Sequence, residues 1–259
     1  MTYLHWNVDP VLLNILGLKV RWYGIMFAIA FILGYRIMTW IYLREGKDIS
    51  NIDRLLFFLV GGTLIGARLG HCLFYDPTYY LYNPLKILFA WEGGLASHGG
   101  GLGVLAALYL YKRKSGEAFL WLLDRVTVPT ALAACFIRLG NFFNSEIIGI
   151  PTTVPWAVIF ERIDFLPRHP AQLYEAISYL LTFIILIIIY KISFRFQNNG
   201  FLFGLFLILI FMSRVLVEFV KIRQAAYSNE FWLSTGQILS IPFIAVGVII
   251  MIATVIKSK

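Results

Sequence analysis

The sequence predicts an all-α polytopic membrane protein of about seven transmembrane helices, with a small outer cap and an interfacial amphipathic segment. Three observations predict it. Hydrophobic residues make up 59% of the 259 residues and charged residues only 14%, against about 25% charged in soluble domains. The apolar residues come in runs of about 20, the length at which a helix crosses a hydrocarbon core of about 30 Å. They do not alternate with polar ones, which excludes a β-barrel on pattern, so each span must satisfy its own backbone hydrogen bonds as a helix. The whole chain, 1–259, reads as one integral membrane domain.

Seven candidate spans follow in order, at 21–43, 55–75, 95–111, 118–137, 171–190, 200–220 and 235–256. Ahead of them, Met1 to Val20 carries Asp9 and Pro10 and lacks a basic start before a short apolar core. It does not read as a cleaved signal peptide, and the first span is expected to act as an uncleaved anchor. Pro77 to Phe89 is aromatic and amphipathic, with Tyr79, Tyr80 and Tyr82, and is expected to lie in the interface. The connection 138–170 is long for a bundle and holds Pro151, Pro155, Pro167 and Pro170, with an alternating stretch from Trp156 to Phe160. It reads as an outer cap with a strand or two. Cys72 and Cys135 fall inside apolar segments without metal or redox spacing, and read as buried structural thiols.

The formal charge of +8 raises the question of nucleic acid, but no basic run exceeds Lys112-Arg113-Lys114, which sits between apolar segments and reads as a membrane flank. No nucleic-acid partner is expected. An odd number of spans puts the ends on opposite sides, and the basic residues orient them. Arg44, Lys47, Arg54, Lys112, Arg113, Lys114, Lys191, Arg195, Lys257 and Lys259 crowd the shorter connections of one side. Lys19, Arg21, Lys86, Arg162, Arg168, Lys221 and Arg223 spread over the longer connections of the other. The expectation is an outer N-terminus and an inner C-terminus. Tyr23, Arg68, His98, Arg138, His169, Glu175 and Arg214 then share the outer halves of their helices. Arg36, Asp124 and Arg125 lie toward the inner ends, where snorkelling or local pairing accounts for them.

Four stretches could carry chemistry. From Glu92 to Gly103 the chain places six glycines within eleven residues around His98. Missing side chains either let a ligand approach the backbone, or let two helices pack through Gly99 and Gly103 with His98 a satisfied interfacial residue. Gly62, Gly66 and Gly70, four apart in the second span, favour packing. At the end of the fourth span runs Arg138-Leu139-Gly140-Asn141-Phe142-Phe143-Asn144-Ser145-Glu146-Ile147-Ile148-Gly149. If the helix continues, Arg138 and Asn141 share a face with Asn144 close by, a set of donors suited to an anionic headgroup. The alternative is a helix end held by polar caps.

In the sixth span Arg214 and Glu218 are one turn apart and can pair within the bundle, structurally or functionally. Arg68 has no close acidic neighbour in its own span and needs Glu218, Glu146 or a ligand. Arg168-His169-Pro170-Ala171-Gln172-Leu173-Tyr174-Glu175 opens the fifth span, and reads as helix-start chemistry rather than an active site.

Taken together these stretches resemble the prolipoprotein diacylglyceryl transferase family of bacterial inner-membrane enzymes. The likeness runs in order through Arg21-Trp22-Tyr23-Gly24, Gly66-Ala67-Arg68-Leu69-Gly70, Gly93 to Gly101 with His98, Arg138 to Gly149, His169 to Glu175, and Arg214-Val215-Leu216-Val217-Glu218-Phe219. The stretch from Arg138 to Gly149 is its most specific part. The resemblance implies transfer of the diacylglyceryl group of phosphatidylglycerol to the lipobox cysteine of prolipoproteins, with release of glycerol phosphate. It implies that Arg138 binds phosphatidylglycerol and that His98, Tyr23, Asn141, Gly149 and Arg214 are needed for activity. Asn144, Glu146, Arg68 and Glu218 join them as candidate substrate-binding residues. Two departures stand out: Lys221-Ile222-Arg223-Gln224 replaces the family's frequent Arg-x-Pro-Asp, and Ala96-Ser97-His98 replaces Ser-Phe-His.

That chemistry asks for positive charge near a departing phosphate, which Arg138 and Arg214 could supply, and for a thiolate. A cysteine thiol of pKa about 8.5 is mostly protonated at neutral pH, and His98 could accept its proton, directly or through Tyr23. No metal, nucleotide or redox cofactor is expected, since the sequence has no H-E-x-x-H, P-loop or Rossmann fingerprint. The expected partners are phosphatidylglycerol, signal peptides carrying a lipobox cysteine, and membrane lipids. A lipid or small-anion transporter is the alternative, since embedded charges and glycines also occur in carriers, though no internal repeat is evident. A non-catalytic scaffold gives no reason for the outer arginines.

Overall fold

The structure is a computed structural model that describes residues 2–15, 17–89, 93–193, 198–222 and 233–256. Of the residues singled out in the sequence, Met1, Glu92, Arg195, Arg223, Gln224, Lys257 and Lys259 lie outside the described residues. Eight α-helices are described: α1 (Trp22–Arg44), α2 (Ser50–Phe74), α3 (Pro77–Tyr82), α4 (Ser97–Ser115), α5 (Phe119–Phe143), α6 (Ala171–Ser193), α7 (Phe201–Glu218) and α8 (Thr235–Ile256). Among the described residues, six of them, α1, α2, α5, α6, α7 and α8, are long and apolar enough to cross a membrane. The chain is a multi-pass membrane protein. The segment expected as a further span at 95–111 is a helix, α4, of 19 residues, but it is not among the six. Its glycines at one end and Lys112-Arg113-Lys114 at the other make it less apolar than the rest.

Helix ends differ from the sequence reading wherever polar residues continue a helix. α2 begins at Ser50 rather than 55, just after Asp48 accepts bonds from the Ser50 N–H and hydroxyl at 2.9 and 2.6 Å. α4 carries its basic triplet as a last turn, where the helix dipole favours cations, and stops at Gly116 with φ +75°. α5 runs on to Phe143, so residues 138–143, expected in the cap, belong to a helix.

Two compact units divide the chain, Met1–Ile37 with Asp124–Lys259, and Met38–Leu123. In the first unit the cap is larger than the sequence shows, because the N-terminal segment joins it. Strand β1 (Leu4–Trp6) pairs in parallel with β4 (Val158–Phe160), which pairs antiparallel with β5 (Pro167–Arg168). Val158 and Phe160 are buried against Phe142, Ile148 and Trp6. A hairpin of β2 (Val11–Ile15) and β3 (Leu18–Arg21) leads into α1. At its turn Gly17 takes φ +88°, which suits only glycine at low cost. Helices α7 and α8 meet at Gly204 and Gly247, where a Cβ on Gly204 would stand 2.8 Å from the Gly247 carbonyl oxygen.

Asp124, fully buried, accepts the N–H groups of Gly200 and Phe203 at 2.7 and 2.8 Å and so serves the orphan donors at the start of α7. Arg125 lies 3.5 Å from the same carboxylate and over the Tyr190 ring. These two charges pair locally, whereas Arg36 is exposed.

In the second unit α2 and α4 pack through glycine. Cβ atoms on Gly62, Gly66 and Gly70 would fall 2.6, 2.4 and 2.8 Å from the Gly103 carbonyl, the Gly99 carbonyl and the Gly99 Cα. The packing reading of these glycines is what the structure shows. The far end is tied by Tyr42 to Tyr111 through their hydroxyls at 3.4 Å and by Lys47 to Glu117 at 2.8 Å. Helix α3 and the 3-10 turn Pro84–Leu88 bury no residue, and Leu81 and Tyr82 are 79% and 82% exposed, as an interfacial segment requires. Cys72 and Cys135 are buried and unbridged.

Candidate active site

The last turns of α5, the first turns of α6 and the end of α7 build a charged cluster in the first unit. Glu175, on the second turn of α6, is wholly buried. A carboxylate withdrawn from water is costly unless cations meet it, and two do. Arg138 Nε stands 2.9 Å from Glu175 Oε2 in an ion pair, and Lys221 Nζ donates to Glu175 Oε1 at 2.7 Å. The Tyr179 hydroxyl, one turn further along α6, donates to the same oxygen at 3.4 Å, and its ring lies under the Arg138 guanidinium. The sequence reading of Glu175 as helix-start chemistry is therefore corrected. Its carboxylate faces the interior and binds the signature arginine.

The helical continuation of α5 brings Arg138 Nη1 to Asn141 Oδ1 at 3.2 Å. Past Phe143 the chain hooks back. Glu146, exposed on the surface, accepts the side-chain amides of Asn141 and Asn144, each at 3.1 Å, and its backbone carbonyl accepts Gln172 Nε2. Ser145 and Ile147 both take φ +56°, the left-handed backbone that this tight hook demands. Glu146 is thus a template that orients the two amides. Tyr23 packs its ring on Gly140, where a Cβ would lie 2.8 Å from Tyr23 Cδ2, and Trp22 stacks on Phe143 at 4.7 Å. Hydrogen bonds join Arg138, Asn141, Asn144 and Glu146, and Tyr23 lies against Gly140 beside them.

Gly149 ends the hook where two backbone segments close on it. Its N–H donates to the His169 carbonyl at 3.0 Å, Ile150 N–H to the Val220 carbonyl at 2.9 Å, and Ile222 N–H to the Ile148 carbonyl at 3.2 Å. A Cβ on Gly149 would sit 2.5 Å from the His169 oxygen and 2.7 Å from the Val220 oxygen. Arg168 clamps the same strand, donating to the Gly149 carbonyl at 3.2 Å and to Asp164. His169 turns its ring to the Tyr174 hydroxyl at 3.1 Å, which also accepts Trp156 Nε1 at 2.7 Å, and burial pushes the imidazole below its usual range.

Arg214 does not pair with Glu218, its neighbour one turn on. Glu218 goes to Lys221, 3.4 Å away, and its carboxylate lies against Gly236. Among the described residues Arg214 Nε is buried with no hydrogen-bond partner, while Tyr179 lies within electrostatic reach of Arg138, Arg214 and Glu175. Lys221 and Glu218 line a cavity of about 340 Å³ with Ser234, Gln237, Ile150, Phe219 and Ile222. Among the described residues Arg138 and Lys221 both meet Glu175, Lys221 also meets Glu218, and Arg214 enters none of these pairs. Lys221 and Tyr179 are site residues that the sequence reading missed. The local signals were the i, i+3 spacing of Glu218 and Lys221 and the place of Lys221 at the family's frequent arginine.

The second unit holds His98 and Arg68. His98 stands exposed in the first turn of α4. Arg68, 5% exposed, finds neither of the carboxylates expected for it. Its guanidinium donates to four backbone carbonyls, those of Ile87 at 2.9 Å, Lys86 at 2.5 Å, Gly94 at 3.2 Å, and Gly93. It also lies over the Tyr80 ring. Its donors are spent on the loop that leads to His98.

Comparison with known proteins places the chain in a family. A family profile described as Prolipoprotein diacylglyceryl transferase matches residues 10–253. A Tolumonas auensis protein named phosphatidylglycerol–prolipoprotein diacylglyceryl transferase is 52% identical over 250 residues, 96% of this chain and 96% of its own. Proteins of the same name from Chloroherpeton thalassium and Bacteroides fragilis are 48% and 45% identical, covering 100% and 96% of this chain and 97% and 94% of theirs. The names are those of transferases, and the transporter alternative has no support from them. By profile and by relatives of nearly equal length, the chain belongs to the prolipoprotein diacylglyceryl transferase family.

Proposed function

We propose that this protein transfers the diacylglyceryl group of phosphatidylglycerol to the lipobox cysteine of exported prolipoproteins, the first step of bacterial lipoprotein maturation. The observation that carries the reading is an Arg214 Nε that, among the described residues, has no hydrogen-bond partner and that stands, like Arg138, within electrostatic reach of Tyr179. A phosphodiester carries one negative charge. As the thiolate sulfur attacks the glyceryl carbon, a C–S bond forms, the C–O bond to phosphate breaks, and the leaving glycerol phosphate gains a second negative charge. Donors already aimed at that place stabilise the change without reorganising. Arg138 and Arg214 are assigned to the phosphate, with Asn141, Asn144 and Gly149 shaping its surroundings and Tyr23 packed beside them.

The thiol proton must leave before or during attack, and His98 is assigned to accept it. The surplus of Lys and Arg in the short connections supports an inner-membrane protein with its N-terminus outside, its C-terminus in the cytoplasm and its site toward the outer face. Purified protein incubated with phosphatidylglycerol and a lipobox peptide should yield a thioether-linked diacylglyceryl peptide and glycerol phosphate. No product from wild type in active lipid would overturn the reading. A His98→Gln variant that kept the full single-turnover rate across pH would remove only the proton acceptor.

A further inference from the structure

Arg214 and Glu218 stand at the spacing at which an arginine and a carboxylate on one helix ordinarily pair, yet Arg214 Nε has no hydrogen-bond partner and Glu218 faces Lys221 at 3.4 Å. Lys221 lies just past the end of α7, and its ammonium spans two carboxylates, Glu175 at 2.7 Å and Glu218. Arg138, Glu175, Lys221 and Glu218 therefore alternate in charge and balance one another. Among the described residues Arg214 enters none of these pairs.

We propose that Lys221 is a positioning residue for lipid binding: by holding Glu218 and sharing Glu175 it keeps both carboxylates from capturing Arg214, so that this guanidinium meets the lipid phosphate. The proposal rests on the phosphate-site reading above, since it gives Arg214 an anion to meet.

The backbone explains how Lys221 is held. Gly149 and Lys221 face each other across an antiparallel bridge, flanked by the bonds from Ile150 to Val220 and from Ile222 to Ile148. The ladder closes because Gly149 has no side chain, a Cβ there meeting the Val220 oxygen at 2.7 Å. Gly149, the last residue of the signature, thus acts on the site through Lys221. Without the ammonium, two carboxylates and two guanidiniums remain, and the nearest relief for Glu218 is Arg214 on its own helix.

The test is steady-state transfer with varied phosphatidylglycerol, together with direct binding of labelled phosphatidylglycerol to protein in nanodiscs. Lys221→Met should raise KM for the lipid and weaken its binding by about tenfold or more, the scale of losing one charge-assisted contact, with a smaller change in kcat. Lys221→Arg should stay within about twofold of wild type, because it keeps the charge. Adding Glu218→Gln to Lys221→Met should restore lipid binding, since the competing carboxylate is gone; a merely structural lysine would not be rescued this way. Unchanged KM and binding in Lys221→Met, or no rescue by Glu218→Gln, overturns the proposal. If Lys221→Met does not fold, Lys221→Gln with and without Glu218→Gln decides by the same criteria. If wild type forms no thioether product, the functional reading falls, and the lipid-binding arm still decides the role of Lys221.

Discussion

Arg68 and Gly93 are joined by a hydrogen bond from the guanidinium Nη1 to the glycine carbonyl, and the same nitrogen reaches the Gly94 carbonyl at 3.2 Å. Gly93 and Gly94 take φ +101° and +73°. The left-handed turn presents both carbonyls to one cation and leads into α4. Ala96 N–H donates to the Ala67 carbonyl at 2.9 Å, fixing the same junction from the other side. A lysine offers three donors from one point and cannot fork across four carbonyls. Arg68→Lys should lower the thermal midpoint in detergent and reduce kcat about tenfold through displacement of the α4 start, leaving KM for phosphatidylglycerol unchanged. Arg68→Ala should lower the midpoint further, since each buried carbonyl left without its donor costs about 1–3 kcal/mol. A rise in KM at unchanged midpoint would instead put Arg68 on the lipid.

The glycine seam makes a prediction with a built-in control. A Cβ on Gly66 would stand 2.4 Å from the Gly99 carbonyl oxygen, too close for any real contact, while a Cβ on Gly61 in the same helix meets nothing within 4 Å. Gly66→Ala must push α2 from α4 and should cost about 1–3 kcal/mol, as overpacking does. Gly61→Ala should be neutral or stabilising by up to about 1 kcal/mol, since alanine is the better helix former. Thermal unfolding of the two variants in one detergent separates them. Equal midpoints would mean that the helices do not depend on this close approach.

What the sequence shows and hides follows from how local each signal is. The long helices are legible because a lipid-facing span needs an unbroken apolar run, and the glycine seam because its partners repeat every four residues in one helix. The end of α5 is misplaced at 137, because Arg138 and Asn141 look like loop residues until their partners are known. Lys221 and Glu175 are 46 residues apart and bond side chain to side chain at 2.7 Å, which no local spacing announces. Arg68 illustrates the other blind spot: every residue has a carbonyl, so a cation bound to carbonyls leaves no pattern to read. The pairing of β1 with β4 joins short strands about 150 residues apart, and a three-residue strand has no period to detect.

Acid should loosen the cap by way of Asp164. Hydrogen bonds from the Arg168 guanidinium hold the Asp164 carboxyl below the usual carboxylate range, and the Leu166 N–H adds to this. A carboxyl whose pKa is lower in the folded state contributes stability that is complete above its unfolded value, about 3.8, and is lost as pH falls through the folded value. Asp164 is partly exposed, so solvent screens the pair and the effect is modest. Its consequence is local, because the same guanidinium donates to the Gly149 carbonyl. Amide hydrogen exchange over 148–168, corrected for the intrinsic effect of pH, should be slow at pH 7 and faster below about pH 3.8 in wild type. In Asp164→Asn, which has no carboxylate to protonate, it should be faster already at pH 7 and nearly independent of pH. Equal protection of wild type and Asp164→Asn at pH 7 would show that the ladder holds Gly149 without help from this pair.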